Sequence, residues 1–328
     1  MSIKRPERAQ ATIEKIGHPG QEYASHIPSA VQQRIRRSQW KKIGTAYLFL
    51  APNIVGFLVF TLFSLVAALG LSFFRWTLLT PPVFTGFSNY VLLFTTDPVF
   101  HQVLVNTLYF VFGYVPLNIL LSLGIAVWIS GPIRFKNVFR IIMFLPVLTP
   151  GVGVALVWLL MYDQNGIINQ ALFALFHIRG PNWLASTTWA MPAIILMSLW
   201  YNFGYNMLVF SAGLQNIPQH FYEAAAIDGA RRWQRFWYIT IPLLSPSLFF
   251  GLVLTLISSF QVFDQVYILT LGGPGIDTTT LVLYAYQNGF QYYKMGYAAT
   301  VSTVLFLLIL AVTLLQFILQ RKWVHYEV

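Results

Sequence analysis

The stretch LQNIPQHFYEAAAIDGARRWQRFWYITIPLLSP, residues 214–246, stands between two long apolar segments of the chain. Pro218 is suited to open a helix, because its missing N–H would have no partner in the first turn. Gly229 then interrupts an alanine-rich segment and permits a bend or a positive φ, and Pro242 is expected to stop the next helix. We predict a helix-bend-helix hairpin, which either enters a groove of another protein or lies on a membrane surface without a partner.

The surface of this hairpin has three kinds of side chain: charged, small and aromatic. Asp228 and Arg232 are four residues apart, a spacing that allows an ion pair on the surface. Alanines and glycine at the bend permit close approach of a partner. The predicted apolar face consists of Trp233, Phe236, Trp237 and Ile239.

Outside the hairpin the chain is apolar enough to lie mostly in a bilayer. It has 328 residues, of which 57% are hydrophobic and 9% charged, and its mean hydropathy is +0.63. Ordinary soluble domains are about 25% charged, so a soluble enzyme is disfavoured and intrinsic disorder is excluded. Segments that reach the about 20 apolar residues needed to span a bilayer are 46–73, 103–129, 141–162, 189–211, 247–270 and 297–319.

Prolines and glycines interrupt two of these six predicted spans. Pro116 lies inside the second span, and Pro146, Pro150, Gly151 and Gly153 crowd the third. Kinks are expected where neighbouring helices absorb the lost backbone hydrogen bonds. Such breaks suit helices that line a cavity, or they reflect packing against neighbours, and the sequence leaves both readings open.

Basic residues define the predicted orientation. With the N-terminus inside, 17 of the 20 lysines and arginines fall on the inner side, and only Arg75, Arg179 and Lys294 fall outside. Cytoplasmic segments carry such an excess of basic residues. Both termini are therefore predicted to be cytoplasmic, and the net charge of +10 is attributed to topology rather than to a nucleic-acid partner.

Three segments follow from this topology. Residues 1–45 are predicted to be a basic cytoplasmic tail, in which 29–44 form an interfacial helix on anionic lipid or a plain topology anchor. Residues 46–320 form the membrane domain, with 214–246 as a cytoplasmic loop. Residues 321–328 form a cytoplasmic C-terminal tail.

Sequence signals for catalysis are missing. The chain has no cysteine, and its six histidines are scattered over tails and loops without an HExxH motif. It has no GxxxxGK[ST] phosphate-binding loop and no paired carboxylates for hydrolysis. We therefore predict a protein that is not an enzyme and has no catalytic residues, metal site or cofactor of its own.

Motifs in order along the chain carry a family resemblance. Glu223-Ala224-Ala225, then Gly229, then residues 239–242 (ITIP) resemble the "EAA" loop of ABC-importer permeases, with Ile241 where leucine is usual. The chain is similar to the carbohydrate branch of that family, the maltose and glycerol-3-phosphate permease type, and to the first permease of the usual pair. The other matching pieces are GFSNY at 86–90, NTLYF at 106–110, GIINQAL at 166–172 and LTLGGPGIDTTTLVLYAY at 269–286.

This resemblance implies an all-α membrane protein with six transmembrane helices in the type I ABC importer permease fold. It implies a bacterial or archaeal cell membrane as the location, and a sugar or related polyol as the substrate. The implied partners are a second homologous permease, two ATP-binding cassette ATPases that bind ATP and Mg, an extracytoplasmic solute-binding protein and membrane lipid. The implied ATPase-coupling residues are Glu223, Ala224, Ala225, Asp228 and Gly229.

Polar residues in spans four and five are candidates for contact with the solute, because sugars bind to amides, hydroxyls and aromatic rings. Each is either such a contact or an interhelical hydrogen bond. Asp264, the one acidic residue in the spans, is expected to pair with a neighbouring subunit or lie near the outer interface in preference to touching solute. The candidates are Ser198, Tyr201, Asn202, Asn206, Ser259, Gln261 and Gln265, beside which Trp200, Tyr205 and Ser258 are also polar.

An ion-coupled secondary transporter that acts without an ATPase is the alternative function. Such carriers show internal repeats and intramembrane coupling carboxylates. The single Asp264 and the lack of an evident repeat disfavour this alternative.

Overall fold

The computed structural model describes residue 45 and residues 47–325. The chain divides into two compact units, Met1–Val66 and Ala67–Val328. The predicted interfacial helix at 29–44, the rest of the N-terminal tail and residues 326–328 of the C-terminal tail lie outside the described residues.

Helices account for most of the described chain. Two of them contain π-helical turns, at Phe57–Leu62 in α1 and Phe236–Thr240 in α9, and further π-turns follow α2 and α11. The helices are α1 (Tyr47–Leu71), α2 (Ser88–Val91), α3 (Pro98–Ser130), α4 (Lys136–Leu148), α5 (Gly151–Met161), α6 (Ile167–Phe176), α7 (Ala190–Asn216), α8 (Gln219–Ile227), α9 (Arg232–Phe260), α10 (Asp264–Leu269), α11 (Leu281–Tyr286) and α12 (Met295–Leu319), which ends in a 3₁₀ turn at Gln320–Lys322.

Within the described residues, five helices are long and apolar enough to cross a membrane: α1, α3, α7, α9 and α12. The predicted third span, 141–162, is instead the pair α4 and α5, bent by 95°. Thr149 has the extended backbone (φ −81°, ψ 140°) that a residue before proline prefers, and Pro150 cannot donate a helical hydrogen bond. The count of spans is therefore five, or six if the bent pair is one span.

Two predictions for the segment after the hairpin are wrong. Pro242 does not stop the second helix, because the π-turn at Phe236–Thr240 changes the hydrogen-bond register ahead of it and α9 continues to Phe260. The predicted span 247–270 is also not one helix. Helix α9 ends at Phe260, and α10 begins only at Asp264.

The chain is mostly helical rather than all-α. Phe74–Arg75 and Val83–Phe84 form a two-stranded antiparallel ribbon in the loop after α1. The ribbon is backed by the Asn89 side chain, whose amide donates to the carbonyl oxygens of Ser72 and Phe74, each at 2.9 Å. Strands this short carry little periodic signal in a sequence.

Helices α3 and α7 make the most extensive helix pair in the second unit. The Ser122 hydroxyl of α3 donates to the Phe203 carbonyl of α7 at 2.9 Å. Helix α4 approaches α7 at Gly204, where a Cβ would lie 2.4 Å from the Met143 carbonyl oxygen. Glycine is needed at this crossing because any side chain would clash with backbone.

Asp97 joins the start of α3 to α11 and α12. Its carboxylate accepts hydrogen bonds from the Val99 and Phe100 N–H groups and from the hydroxyls of Tyr284 and Tyr297. Burial alone raises the pKa of Asp97, but these four donors outweigh it and hold the pKa below its usual value. The cluster fixes the loops at this end of the second unit.

Candidate functional site

The predicted hairpin is present as α8, a turn and the first part of α9. Helix α8 begins directly after Pro218, as its missing N–H predicts. Gly229 has a positive φ of 74°, and the Ala230 N–H donates to the Ala225 carbonyl at 2.8 Å, which closes the end of α8 as in a Schellman motif. The bend therefore depends on a residue at position 229 that tolerates a positive φ.

Hydrogen bonds within the hairpin hold it together. The hydroxyls of Tyr222 in α8 and Thr240 in α9 are hydrogen-bonded at 3.0 Å. The Arg235 Nε donates to the Ala230 carbonyl at 2.8 Å, and the Arg231 N–H donates to the Gln234 side chain at 2.7 Å. The first bond joins the two arms, and the other two join the turn to the first residues of α9.

The tip of the hairpin is exposed. Glu223, Ala224, Asp228 and Gly229 are exposed and Ala225 is half-buried. The predicted ion pair between Asp228 and Arg232, both within the described residues, is absent. All five predicted coupling residues thus lie together at the tip, and their role in coupling stays a prediction.

Large apolar side chains surround this tip. Ile227 is 88% exposed, Trp233 70% and Tyr238 79%. Within the predicted apolar face, the Trp233 and Trp237 rings pack edge to face. Exposed aromatic and aliphatic side chains grouped in this way are typical of a surface that a partner or a membrane covers.

A polar cavity of about 290 Å³ lies between α3, α7, α9 and α10. The apolar helices around it make a polar lining unusual, since polar side chains at membrane depth face a wet cavity or a partner group. Its lining residues are Phe110, Tyr114, Ser198, Asn202, Ser258, Ser259, Gln261, Val262, Phe263, Asp264 and Gln265.

Five predicted pathway residues line this cavity: Ser198, Asn202, Ser259, Gln261 and Gln265. The Asn202 side-chain amide donates to the Ser198 carbonyl at 3.1 Å, which fixes the orientation of the amide. The Ser198 hydroxyl is buried and has no hydrogen-bond partner among the described residues. A buried hydroxyl without a partner is costly, and this oxygen is shielded from the cavity by its neighbours.

Asn206 and Tyr201 do not line the cavity. The Asn206 amide is buried and donates to Asn118 Oδ1 and to Thr255 Oγ1, each at 2.6 Å, and so connects α7 with α3 and α9. The Tyr201 hydroxyl donates to the Thr149 carbonyl at 3.0 Å, beside the break between α4 and α5. Both side chains therefore make the interhelical hydrogen bonds that were the alternative for these positions.

Sequence reasoning did not select several lining residues. Phe110 and Tyr114, one turn apart on α3, stack their rings at a centroid distance of 5.3 Å. Nothing in the sequence separates them from the other aromatic residues of this helix. Asp264 lines the cavity together with Ser258, Val262 and Phe263, and its place at a subunit contact or the outer interface stays a prediction.

Metal binding finds no support in the described part of the chain, where no group of three His, Asp or Glu side chains is placed to hold an ion.

Several spanning-length helices, a polar cavity between them and an exposed hairpin define a polytopic membrane permease. The chain belongs to the family described as binding-protein-dependent transport system inner membrane component, whose sequence model matches residues 118–325. It is a transport component of the inner membrane and not an enzyme, and this membership favours the ABC-importer permease over the ion-coupled carrier.

Relatives with assigned roles match over most of their length. The chain is 39% identical to the probable ABC transporter permease protein YesP of Bacillus subtilis over 86% of this chain and 92% of that protein. It is 38% identical to the lactose transport system permease protein LacF of Rhizobium radiobacter, over 84% and 94% of the two chains.

A similar solved structure belongs to a bacterial ABC transporter involved in the import of the acidic polysaccharide alginate. The match has a TM-score of 0.72 and 26% identity, and covers 87% of this chain and 99% of the other. The fold of the chain is thus that of an ABC importer permease.

Proposed function

We propose that this permease forms half of the translocation pathway for a sugar or related polyol, and that the cavity beside α7 and α10 is where the solute contacts this chain. The polar lining of that cavity, to which Asn202, Gln261 and Gln265 contribute side-chain amides, is the observation that carries the proposal. The hydroxyls of a sugar pair with such amides, whereas an apolar solute does not.

The chemistry of the cavity agrees with a carbohydrate. Amides and hydroxyls from Asn202, Ser258, Gln261 and Gln265 supply donors and acceptors, and aromatic rings supply flat apolar surface for the faces of a sugar ring. Relatives include permeases for lactose and for arabinooligosaccharides, which places carbohydrates first among the candidate solutes.

Energy for transport comes from ATPase subunits, in which ATP and Mg are bound. The tip of the hairpin, with Glu223, Ala224, Ala225, Asp228 and Gly229, docks into a cleft of the ATPase. Glu223 is the polar anchor, and the small residues allow the tip to sit deep in the cleft. Because Tyr222 of α8 is hydrogen-bonded to Thr240 of α9, ATPase closure moves α9 and changes which side of the cavity is open.

The assembly comprises this chain, a second homologous permease, two ATPases and an extracytoplasmic solute-binding protein, surrounded by membrane lipid. Six spans result when α4 and α5 together cross the membrane once, and an even number of spans leaves both termini and the hairpin on one side. The excess of lysine and arginine in these segments favours the cytoplasm as that side. This topology keeps 46–320 as the membrane domain between cytoplasmic tails at 1–45 and 321–328. The location is a bacterial or archaeal cell membrane.

Affinity purification from mild detergent, followed by mass spectrometry, tests the assembly. We expect an ATPase and a second permease to co-purify with the tagged wild-type chain. Both Glu223→Ala and Gly229→Val should lose the ATPase and keep the second permease, because the substitutions affect the hairpin alone. Purification of the chain by itself, with solute uptake driven by an ion gradient in ATP-free vesicles, would contradict the proposal.

A solute test uses the same assembly in membrane vesicles. Radiolabelled lactose, maltose and arabinooligosaccharides are offered with the cognate binding protein and ATP, and uptake is compared between wild type and Gln261→Ala, which removes an exposed amide of the lining. We expect one of these sugars to accumulate in the wild type and to require a higher concentration in the variant. Accumulation of none of them would count against a carbohydrate substrate of these classes.

A further inference from the structure

Resting on the proposed function, we infer that Asp264 makes the cavity selective for uncharged saccharides over carboxylated ones. Asp264 is the first residue of α10, directly after the non-helical turn that ends α9. Its side chain is exposed and forms part of the cavity wall. The interruption between the two helices brings the carboxylate into the polar cavity.

The carboxylate of Asp264 is free to interact with a solute. Across residues 47–325 no hydrogen bond or ion pair reaches it. A Cβ added at Gly151 would lie 3.6 Å from Asp264 Oδ2 and 3.4 Å from the Tyr201 hydroxyl oxygen. The carboxylate thus stands opposite the start of α5, at the break where α4 and α5 meet.

The charge is not balanced by the lining. Asp264 is the only charged residue among the eleven described residues that form the cavity wall, and the others are neutral amides, hydroxyls, aromatic rings and one valine. Two unit charges several ångströms apart attract or repel each other even where both stay hydrated, although more weakly than in a dry interior. A negative potential in this cavity is the direct consequence.

Neutral and acidic sugars respond differently to such a carboxylate. An ionised carboxylate accepts strong hydrogen bonds from the hydroxyls of an uncharged sugar. It repels the carboxylate of a uronic or aldonic acid, which provides discrimination through an unfavourable contact. The similar fold serves an importer of acidic alginate, so the fold leaves charge preference to individual side chains such as Asp264.

A single introduced thiol measures this potential, because the chain has no native cysteine. In the complete importer in membrane vesicles, Ser258→Cys is treated with a cationic or an anionic methanethiosulfonate reagent of similar size. We expect the ratio of cationic to anionic labelling rates to fall about threefold to tenfold when Asp264→Asn is added. Asp264→Glu, which keeps the charge, should restore the ratio.

A second polar cavity provides a matched control. It is lined by Thr188 and has its own carboxylate, Asp277, but shares no lining residue with the first cavity. The labelling ratio of Thr188→Cys should not change with Asp264→Asn. An unchanged ratio at Ser258→Cys, or no labelling there in an assembled importer, would overturn the inference.

Protection of the same thiol separates this inference from the proposed function. Lactose, maltose and arabinooligosaccharides are compared with their carboxylated counterparts, such as lactobionate, as agents that slow labelling of Ser258→Cys. We expect a neutral sugar to protect, and its carboxylated counterpart to protect only after Asp264→Asn. If the labelling ratio depends on Asp264 but no sugar protects, the charge selection stands and the carbohydrate assignment fails. Equal protection by both forms with Asp264 in place would overturn the charge selection alone.

Discussion

The hairpin exposes apolar side chains, whereas the cavity places polar side chains among apolar helices. Both regions therefore depart from the usual distribution of side chains. At the hairpin, Ile227, Trp233 and Tyr238 expose apolar surface. In the cavity, Ser198 and Asn202 place polar groups among apolar helices. Each arrangement is unfavourable in isolation, because exposed apolar area and unpaired polar groups both cost free energy. We expect a protein partner to cover the first surface and a polar solute to pair with the second.

This contrast predicts that the two regions fail differently when altered. Changes at the hairpin should abolish transport without altering solute preference, because the partner is lost. Changes in the cavity should alter solute dependence and leave the assembly intact. Substitution of a residue that connects helices near the cavity, such as Asn206, should produce neither of these effects. It should lower the stability of the protein instead.

The largest effect is expected from Gly229→Val. Valine is strongly disfavoured at a φ of 74°, so the bend that separates α8 from α9 would be lost. We expect ATP-driven uptake to fall to background while the amount of protein in the membrane is unchanged. Gly229→Asn is the matched control, since asparagine tolerates this backbone conformation, and it should retain most of the uptake. Equal loss of uptake in both variants would indicate that any side chain added at position 229 blocks transport, whether or not the bend is kept.

Glu223→Ala should also reduce uptake to background. Glu223 is exposed and Ala is a good helix former, so α8 is preserved and only the proposed polar anchor is removed. Uptake and ATPase co-purification are measured together, with Gln219→Ala at the start of the same helix as the control. Normal uptake by Glu223→Ala would remove this residue from the coupling site.

Asn206→Leu should destabilise the protein rather than change its solute dependence. The substitution leaves the buried Asn118 and Thr255 side chains without the hydrogen bonds that Asn206 donates. We expect a loss of about 1–3 kcal/mol for each partner left unsatisfied. The measurement is the thermal unfolding midpoint in detergent. A normal midpoint combined with a raised solute requirement would return Asn206 to the solute pathway.

Asn202→Leu should show the reverse behaviour. Asn202 lines the cavity, and loss of one hydrogen bond to the solute would raise the concentration for half-maximal uptake about tenfold. The unfolding midpoint and subunit composition should match those of the wild type. Loss of assembly with unaltered solute dependence would show that Asn202 is structural.

The smallest effect is expected from Tyr201→Phe. This change removes only the hydrogen bond from the Tyr201 hydroxyl to the Thr149 carbonyl. We expect a stability loss of about 1 kcal/mol and no change in the labelling ratio at Ser258→Cys, because Asp264 is retained. A changed ratio would mean that the break between α4 and α5 determines access to the cavity.

The sequence alone located the hairpin because its features depend on neighbouring residues. The start of α8 depends on Pro218, and the bend depends on the freedom of Gly229, both of which act within a few residues. Four of the six predicted spans were equally visible, because a run of about 20 apolar residues matches the thickness of a bilayer and is rare in water-soluble proteins. The other two, 141–162 and 247–270, are interrupted in the structure.

Tertiary structure decided which polar side chains face the cavity. Asn202 and Asn206 are four residues apart on one helix, yet the first lines the cavity and the second connects three helices. The periodicity of a helix shows which residues share a face, but not what stands opposite that face. Asn118 is 88 residues from Asn206, and only packing brings the two amides together.

Asp264 illustrates the same limit. Its position near the end of a predicted span indicated an outer interface or a subunit contact, because the sequence predicted one continuous helix over 247–270. The structure ends that helix at Phe260 and turns the chain, so that Asp264 lines the cavity. Local hydrogen bonding and hydrophobicity thus determined the hairpin and most of the spans from sequence. The cavity and its charge arose from contacts between distant segments, which depend on how the helices pack.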